Sequence, residues 1–99
     1  MQRAAKVDTN HSQIVSDLRA KGFSVRSVAQ LKNFCDLIVT NGRKIALFEV
    51  KSNVKKIKPI PFHKREEFMT EGERRFAQDF QVWVVVDAEE IETIFNEYI

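Results

Sequence analysis

Phe34-Cys35-Asp36-Leu37-Ile38-Val39-Thr40-Asn41-Gly42-Arg43-Lys44-Ile45-Ala46-Leu47-Phe48-Glu49-Val50-Lys51 is the stretch that decides how this chain folds. Two apolar runs flank Asn41-Gly42, the strongest short signal for a β-hairpin, because both residues accept the positive φ of a tight hairpin turn. The runs carry apolar residues on both faces, so the hairpin belongs near the centre of a sheet. Asp36, Glu49 and Lys51 interrupt strands that otherwise read as core. Charges are rarely placed there unless they are paired or bind a metal. With Asn41 and Gly42 as the central pair of a type I′ turn, Thr40 pairs with Arg43, Asp36 faces Leu47 and Phe34 faces Glu49. Asp36, Glu49 and Lys51 then share one face, since side chains two apart on a strand do so. Asp36 and Glu49 become diagonal neighbours, roughly 7–8 Å apart at Cα. Both carboxylates would reach a hard divalent cation between them at about 2.0–2.6 Å. Lys51, one step further along, would orient a water or balance charge on a phosphate. A three-residue loop would instead put the two acids on opposite faces, so the reading depends on the turn.

Ninety-nine residues make one domain, spanning 1–99. Hydrophobic content of 43% and charged content of 30% are those of an ordinary globular protein with one core. One cysteine forms no internal disulfide, which fits a reducing compartment such as the cytoplasm. No apolar run approaches the ~18 residues of a membrane span, and the N-terminal stretch lacks the apolar segment of a signal peptide. Net charge is +2, but residues 1–65 hold 14 Lys or Arg against 4 Asp or Glu, and residues 66–99 hold 2 against 10. That split points to a polyanionic partner for the first two-thirds of the chain; the alternative is a merely solvated surface.

A first helix is expected from Asn10, with Gln13 at the capping-box position, Ile14, Val15 and Leu18 as its apolar stripe and Gly22 as its stop. Residues 23–28 alternate as a strand. Residues 52–69 form a long basic connection with Lys55, Lys56, Lys58, Lys64 and Arg65, in which Pro59 and Pro61 block a regular helix. A second helix starts at Thr70, capped by Glu73. Residues 81–86 form a buried strand with Trp83 in the core, and Asp87 caps a last helix whose core face is Ile91, Ile94, Phe95 and Tyr98. The order is helix, three strands, connection, helix, strand, helix: an α/β domain with a mixed four-stranded sheet flanked by helices. Lys55, Lys56, Lys58 and Lys64 are the candidates for gripping a phosphate backbone. His11 and His63 make no zinc set and read as surface or DNA-contacting residues. Cys35 points away from Asp36 and reads as a buried core thiol.

An Asp, a hairpin, then Glu49-Val50-Lys51 resembles the signature of the PD-(D/E)XK nucleases. The wider layout is similar to the small virus-type replication-repair and Holliday-junction-resolvase-like members. It has an opening Asp8-x-Asn10 stretch running into Ile14-Val15, the Asp36 strand, the Glu49-Val50-Lys51 strand, a basic loop and Met69-Thr70-Glu71-Gly72-Glu73. Val82 to Val86 and a final helix complete it. The resemblance implies a restriction-endonuclease-like core and a Mg²⁺- or Mn²⁺-dependent endodeoxyribonuclease, found in a bacterial or phage-infected cell. It also implies a homodimer acting on branched DNA. Asp36, Glu49 and the Val50 carbonyl would hold the metal, and Lys51 would position the attacking water. Cys35 stands where the family usually has a proline. The glutamate often found on the family's first helix has its nearest match in Gln13, which divides between capping and active-site duty. A non-catalytic nucleic-acid-binding module of the same fold is the competing reading. A protein-interaction subunit docking through the acidic residues of 66–99 is a third.

Overall fold

The computed structural model describes residues 9–99. Asp8, part of the opening Asp8-x-Asn10 stretch, lies outside the described residues. Helix α1 (His11–Ala20) leads into strands β1 (Ser24–Ser27), β2 (Leu37–Thr40) and β3 (Ile45–Val50). A short helix α2 (Val54–Ile57) and two 3-10 turns (Phe62–Lys64, Glu66–Phe68) precede α3 (Glu71–Asp79), β4 (Val82–Val85) and α4 (Ala88–Glu97). The sheet runs β1-β2-β3-β4, with the first two pairings antiparallel and β3-β4 parallel. The expected α/β order and the mixed four-stranded sheet are both present, with the hairpin at the centre. No helix among the described residues is long and apolar enough to cross a membrane.

Gly22 ends α1 at φ +95°, a conformation that disfavours side chains, while the Gly22 and Phe23 amides close on the Arg19 and Leu18 carbonyls. One sheet face, with Val25, Leu37, Val39, Ala46, Phe48, Val50 and Val85, is covered by Ile14 and Leu18 of α1 and by Ile91, Ile94 and Phe95 of α4. A smaller cluster of Ile57, Met69, Val84 and Val86 packs on the other face, beneath the connection and α3. Tyr98, expected on the core face of α4, is instead 53% exposed. Its ring meets Phe62 and Trp83 edge-on over the margin of the core, because α4 ends one residue earlier. Trp83 is half-buried against that core, as its apolar strand requires.

The hairpin closes differently from the two-residue turn. Thr40 pairs with Ile45, not Arg43, and Leu37 pairs with Phe48. The reason is local: Asn41 Oδ1 accepts from the Arg43 and Lys44 amides (both 2.9 Å), and Thr40 Oγ1 accepts from Gly42 and donates to the Lys44 carbonyl. These side-chain bonds mimic a wider turn and hold four residues in the loop. The register moves by two positions, which leaves every side chain on its expected face. Asp36 lies one step beyond the paired residues, where its N–H reaches the Phe48 carbonyl and its carboxylate the Val50 amide, so that it brackets Glu49 and not Leu47.

The long connection is not structureless. Arg65, only 2% exposed, ties it down. Its guanidinium donates to Glu90 with both terminal nitrogens (2.8 and 2.9 Å), and to the Ile60, Val84 and Lys58 carbonyls. Glu90 also accepts from the Val86 amide. Glu90→Ala would leave this guanidinium buried without its counter-charge, and should lower unfolding free energy by about 3–5 kcal/mol. Urea titration followed by tryptophan fluorescence checks this.

Candidate active site

Asp36 stands just before β2, where the strand emerges from the 28–36 loop. Its backbone N–H donates to the Phe48 carbonyl (2.9 Å), and its Oδ2 accepts from the Val50 amide (2.7 Å). The carboxylate thus stands in for a missing ladder carbonyl and is aimed along β3. Glu49 is buried, 4% exposed, on the same sheet face. The Val50 side chain points the other way, into the core, as expected. Lys51 follows the strand end, its ammonium 3.8 Å from Glu49 Oε2 and 3.0 Å from Glu73 Oε1.

Glu73, expected as a helix cap, is one. Its carboxylate accepts from the Thr70 amide (2.9 Å) while Thr70 Oγ1 accepts from the Glu73 amide (3.2 Å). The same carboxylate also meets Lys51 and Glu49. Three acids and a lysine therefore converge at one end of the sheet.

The electrostatics follow from that crowding. Burial pushes the Glu49 carboxyl up to about 10, aided by its hydrogen bonds to Glu73 and Asp36 and by their charges. Asp36 is also raised, by burial first, although the Val50 amide, Glu49 and the nearby His11 oppose the shift. Burial lifts Glu73 too, but hydrogen bonds from Glu49, the Thr70 amide and Lys51 outweigh it and leave Glu73 below the usual range. Glu49 is thus the member of the cluster that holds its proton most strongly, hydrogen-bonded to Glu73 and to Asp36. Cys35 is buried and its thiol is pushed up to about 11, by desolvation and then by Glu49 and Asp36, which leaves it a core thiol and not a nucleophile.

Several expected participants sit elsewhere. Gln13 is exposed, and its amide donates to Asp17 Oδ1 (2.7 Å), so it neither caps α1 nor faces the acids. His11, expected at the surface, is buried on the helix stripe of Ile14 and Leu18, with Nε2 2.9 Å from Ser27 Oγ. Their i, i+3, i+7 spacing was the available signal. His63 is exposed. Asn10 makes no side-chain cap. Its Nδ2 instead donates to the Lys51 (3.0 Å) and Val86 (2.8 Å) carbonyls, fixing the start of α1 to the ends of β3 and β4. Asn10 Oδ1 is buried with no partner among the described residues.

Lys55, Lys56 and Lys64 are exposed on the connection. Lys58 is held by Asp87 and Glu89 at the start of α4, so its charge is partly spent within the fold. The charge split is likewise partly internal. Lys21–Glu92, Lys51–Glu73, Lys58–Asp87 and Arg65–Glu90 each join the basic part to the acidic part.

No three His, Cys, Asp or Glu side chains among the described residues form a ready-made metal-ligating group. The oxygen chemistry nevertheless suits a hard cation. Asp36 and Glu49 are adjacent carboxyls of which one is held by a proton, a role that a divalent ion would also fill. Mg²⁺ commonly keeps several waters and needs only one or two carboxylates. Comparison with protein-family models, with curated proteins and with solved structures returned no match.

Because Glu49 binds a proton in the folded state that it releases near pH 4.5 when unfolded, its contribution to stability is largest at low pH. It declines as pH rises through neutrality toward about 10. Glu49→Gln keeps the shape and a donor without that dependence. At neutral pH it should match or exceed the metal-free wild type, by about 0.5–2 kcal/mol. The margin should widen with pH in thermal melts run from pH 5 to 9.

Proposed function

We propose that this chain is a metal-dependent DNA endonuclease of the PD-(D/E)XK kind, with Asp36, Glu49 and Lys51 as its catalytic residues. The observation that carries the reading is the contact at the end of the central hairpin: the Asp36 carboxylate, held by the Val50 amide, is hydrogen-bonded to the Glu49 carboxyl, and the Lys51 ammonium lies 3.8 Å from Glu49. Structural pairing alone is a weak reason to bury such a group, since apolar packing is often as stable.

Asp36, Glu49 and the Val50 main-chain carbonyl would hold Mg²⁺ or Mn²⁺. When bound, the cation polarises a phosphoryl oxygen and makes water a stronger acid, which suits phosphodiester hydrolysis. The chain's own groups do the rest. The Val50 amide fixes the Asp36 carboxylate, so its orientation is set before substrate arrives. Lys51 supplies a mobile positive donor for a phosphate oxygen or for the attacking water. Lys55 and Lys56 lie on α2, which begins three residues after Lys51, and with Lys64 they would track the backbone by charge alone. Lys58 would add less, since Asp87 and Glu89 already engage it. Cutting both strands of a branched substrate takes two sites, which a two-fold homodimer would supply.

A catalytically weak or inactive DNA-binding module of the same fold is the second reading. It is favoured by one observation: the residue matched to the family's first-helix glutamate, Gln13, is neutral, exposed and occupied by Asp17.

Cleavage of labelled four-way-junction and linear duplex DNA, with Mg²⁺, Mn²⁺ or EDTA, tests the proposal. Wild type should cut only with metal and prefer the junction. Asp36→Ala and Lys51→Ala should each lose at least about 100-fold in rate. Tight, salt-sensitive binding without cutting in either metal would support the binding module instead. In filter binding, replacing Lys55, Lys56 and Lys64 by Ala should flatten the log-affinity against log-salt slope by about one per lysine that contacts phosphate.

A further inference from the structure

We propose that Glu73 is a positioning residue of this site: from the first turn of α3 its carboxylate holds the Lys51 ammonium to one side of the Asp36–Glu49 pair, so that a cation can displace it from Glu49. The proposal rests on the nuclease reading above. Lys51 lies beyond the end of β3 on a flexible four-carbon stem, so its ammonium takes its place from its partners. Glu73 Oε1 is the nearer of the two, at 3.0 Å against 3.8 Å for Glu49 Oε2. Without Glu73, the ammonium would close on Glu49 and Asp36 and neutralise the oxygens a divalent ion needs. Glu73 also adds a third negative charge, which offsets the positive charge of Lys51 beside the ion.

The delivery of Glu73 is built into the fold. The reciprocal Thr70–Glu73 cap fixes its side chain before any contact with the sheet. Gly72 lets the start of α3 lie against the Asn33 side chain in the loop leading to Asp36; a Cβ at Gly72 would overlap the Asn33 amide. Asn33 itself adopts φ +57°, an uncommon conformation for a residue other than glycine. Phe76, one turn along α3, meets Phe34 edge-on at 4.6 Å. These two contacts join α3 to the segment that carries Asp36. A helix serving only as cover would need neither the close approach nor a carboxylate aimed at Lys51.

The test uses Glu73→Gln, which keeps an acceptor for the Thr70 amide and for Lys51 but removes the charge. Thr70→Ala runs alongside; it weakens the cap and keeps the charge. Mn²⁺ binding is read by electron paramagnetic resonance of the free ion, and junction cleavage is separated into kcat and KM. Glu73→Gln should fold, by circular dichroism, and bind Mn²⁺ about tenfold more weakly. Its kcat should fall while KM for DNA holds. Thr70→Ala should keep Mn²⁺ affinity. Wild-type Mn²⁺ affinity and rate in Glu73→Gln would overturn the proposal, as would faster cutting, which would make Glu73 a competitor of substrate for Lys51. Equal loss in Thr70→Ala would reduce Glu73 to its helix-capping role and overturn it too. If wild type itself neither binds Mn²⁺ nor cuts, the nuclease reading fails, and the role of Glu73 fails with it. A wild type that does both beside an unchanged Glu73→Gln removes Glu73 alone.

Discussion

The pairing of β2 with β3 governs the whole arrangement. Leu37 against Phe48 and Thr40 against Ile45 send one set of side chains to the core beneath α1 and α4. Just beyond the paired residues, the Asp36 carboxyl meets that of Glu49. A slip of one residue would exchange the two sets, burying Glu49 among aliphatic side chains and exposing Phe48. Core packing and the placement of the acids are therefore one specification, enforced by the hydrophobic face. Asp36 reinforces it directly, since its carboxylate occupies the Val50 amide where a neighbouring strand's carbonyl would otherwise serve.

Holding these acids together is costly, and the surroundings show how the cost is met. One acid is neutralised by a proton, a second is held by a backbone amide, and a third is drawn to Lys51 and the Thr70 amide. Elsewhere the fold is strongly braced. Arg65 gathers the connection, β4 and α4 through Glu90 and three carbonyls, and Asn10 ties α1 to the ends of β3 and β4. Such bracing lets a small domain tolerate an electrostatically costly cluster.

Much of this was legible in the sequence, and the misses have definite causes. Period-two alternation puts Asp36, Glu49 and Lys51 near one another, and the structure brings Asp36 and Lys51 each against Glu49 even though the turn type differs, because the register changes by an even number. The turn is wider than the Asn-Gly signal implies because Asn41 works through its side chain as well as through its backbone. The Thr70–Glu73 cap was visible as a local pattern. Its second use was not, since Lys51 lies 22 residues away and only the tertiary fold brings them together. The same holds for Arg65, which reads as one more basic loop residue until Glu90 is placed beside it. Gln13 matches a family pattern by position alone, whereas helical phase puts His11, Ile14 and Leu18 on the inward stripe and leaves Gln13 in solvent.

The central claim is that Asp36 and Glu49 form a cation site in place of a proton-shared acid pair. Crystals grown with Mn²⁺, with data collected at the manganese absorption edge, address it most directly. The account predicts an anomalous peak within about 2.0–2.6 Å of an oxygen from each carboxylate, with Lys51 still turned toward Glu73. A hydrogen-bonded Asp36–Glu49 pair with no peak beside it, at Mn²⁺ concentrations that support binding elsewhere on the protein, would contradict it.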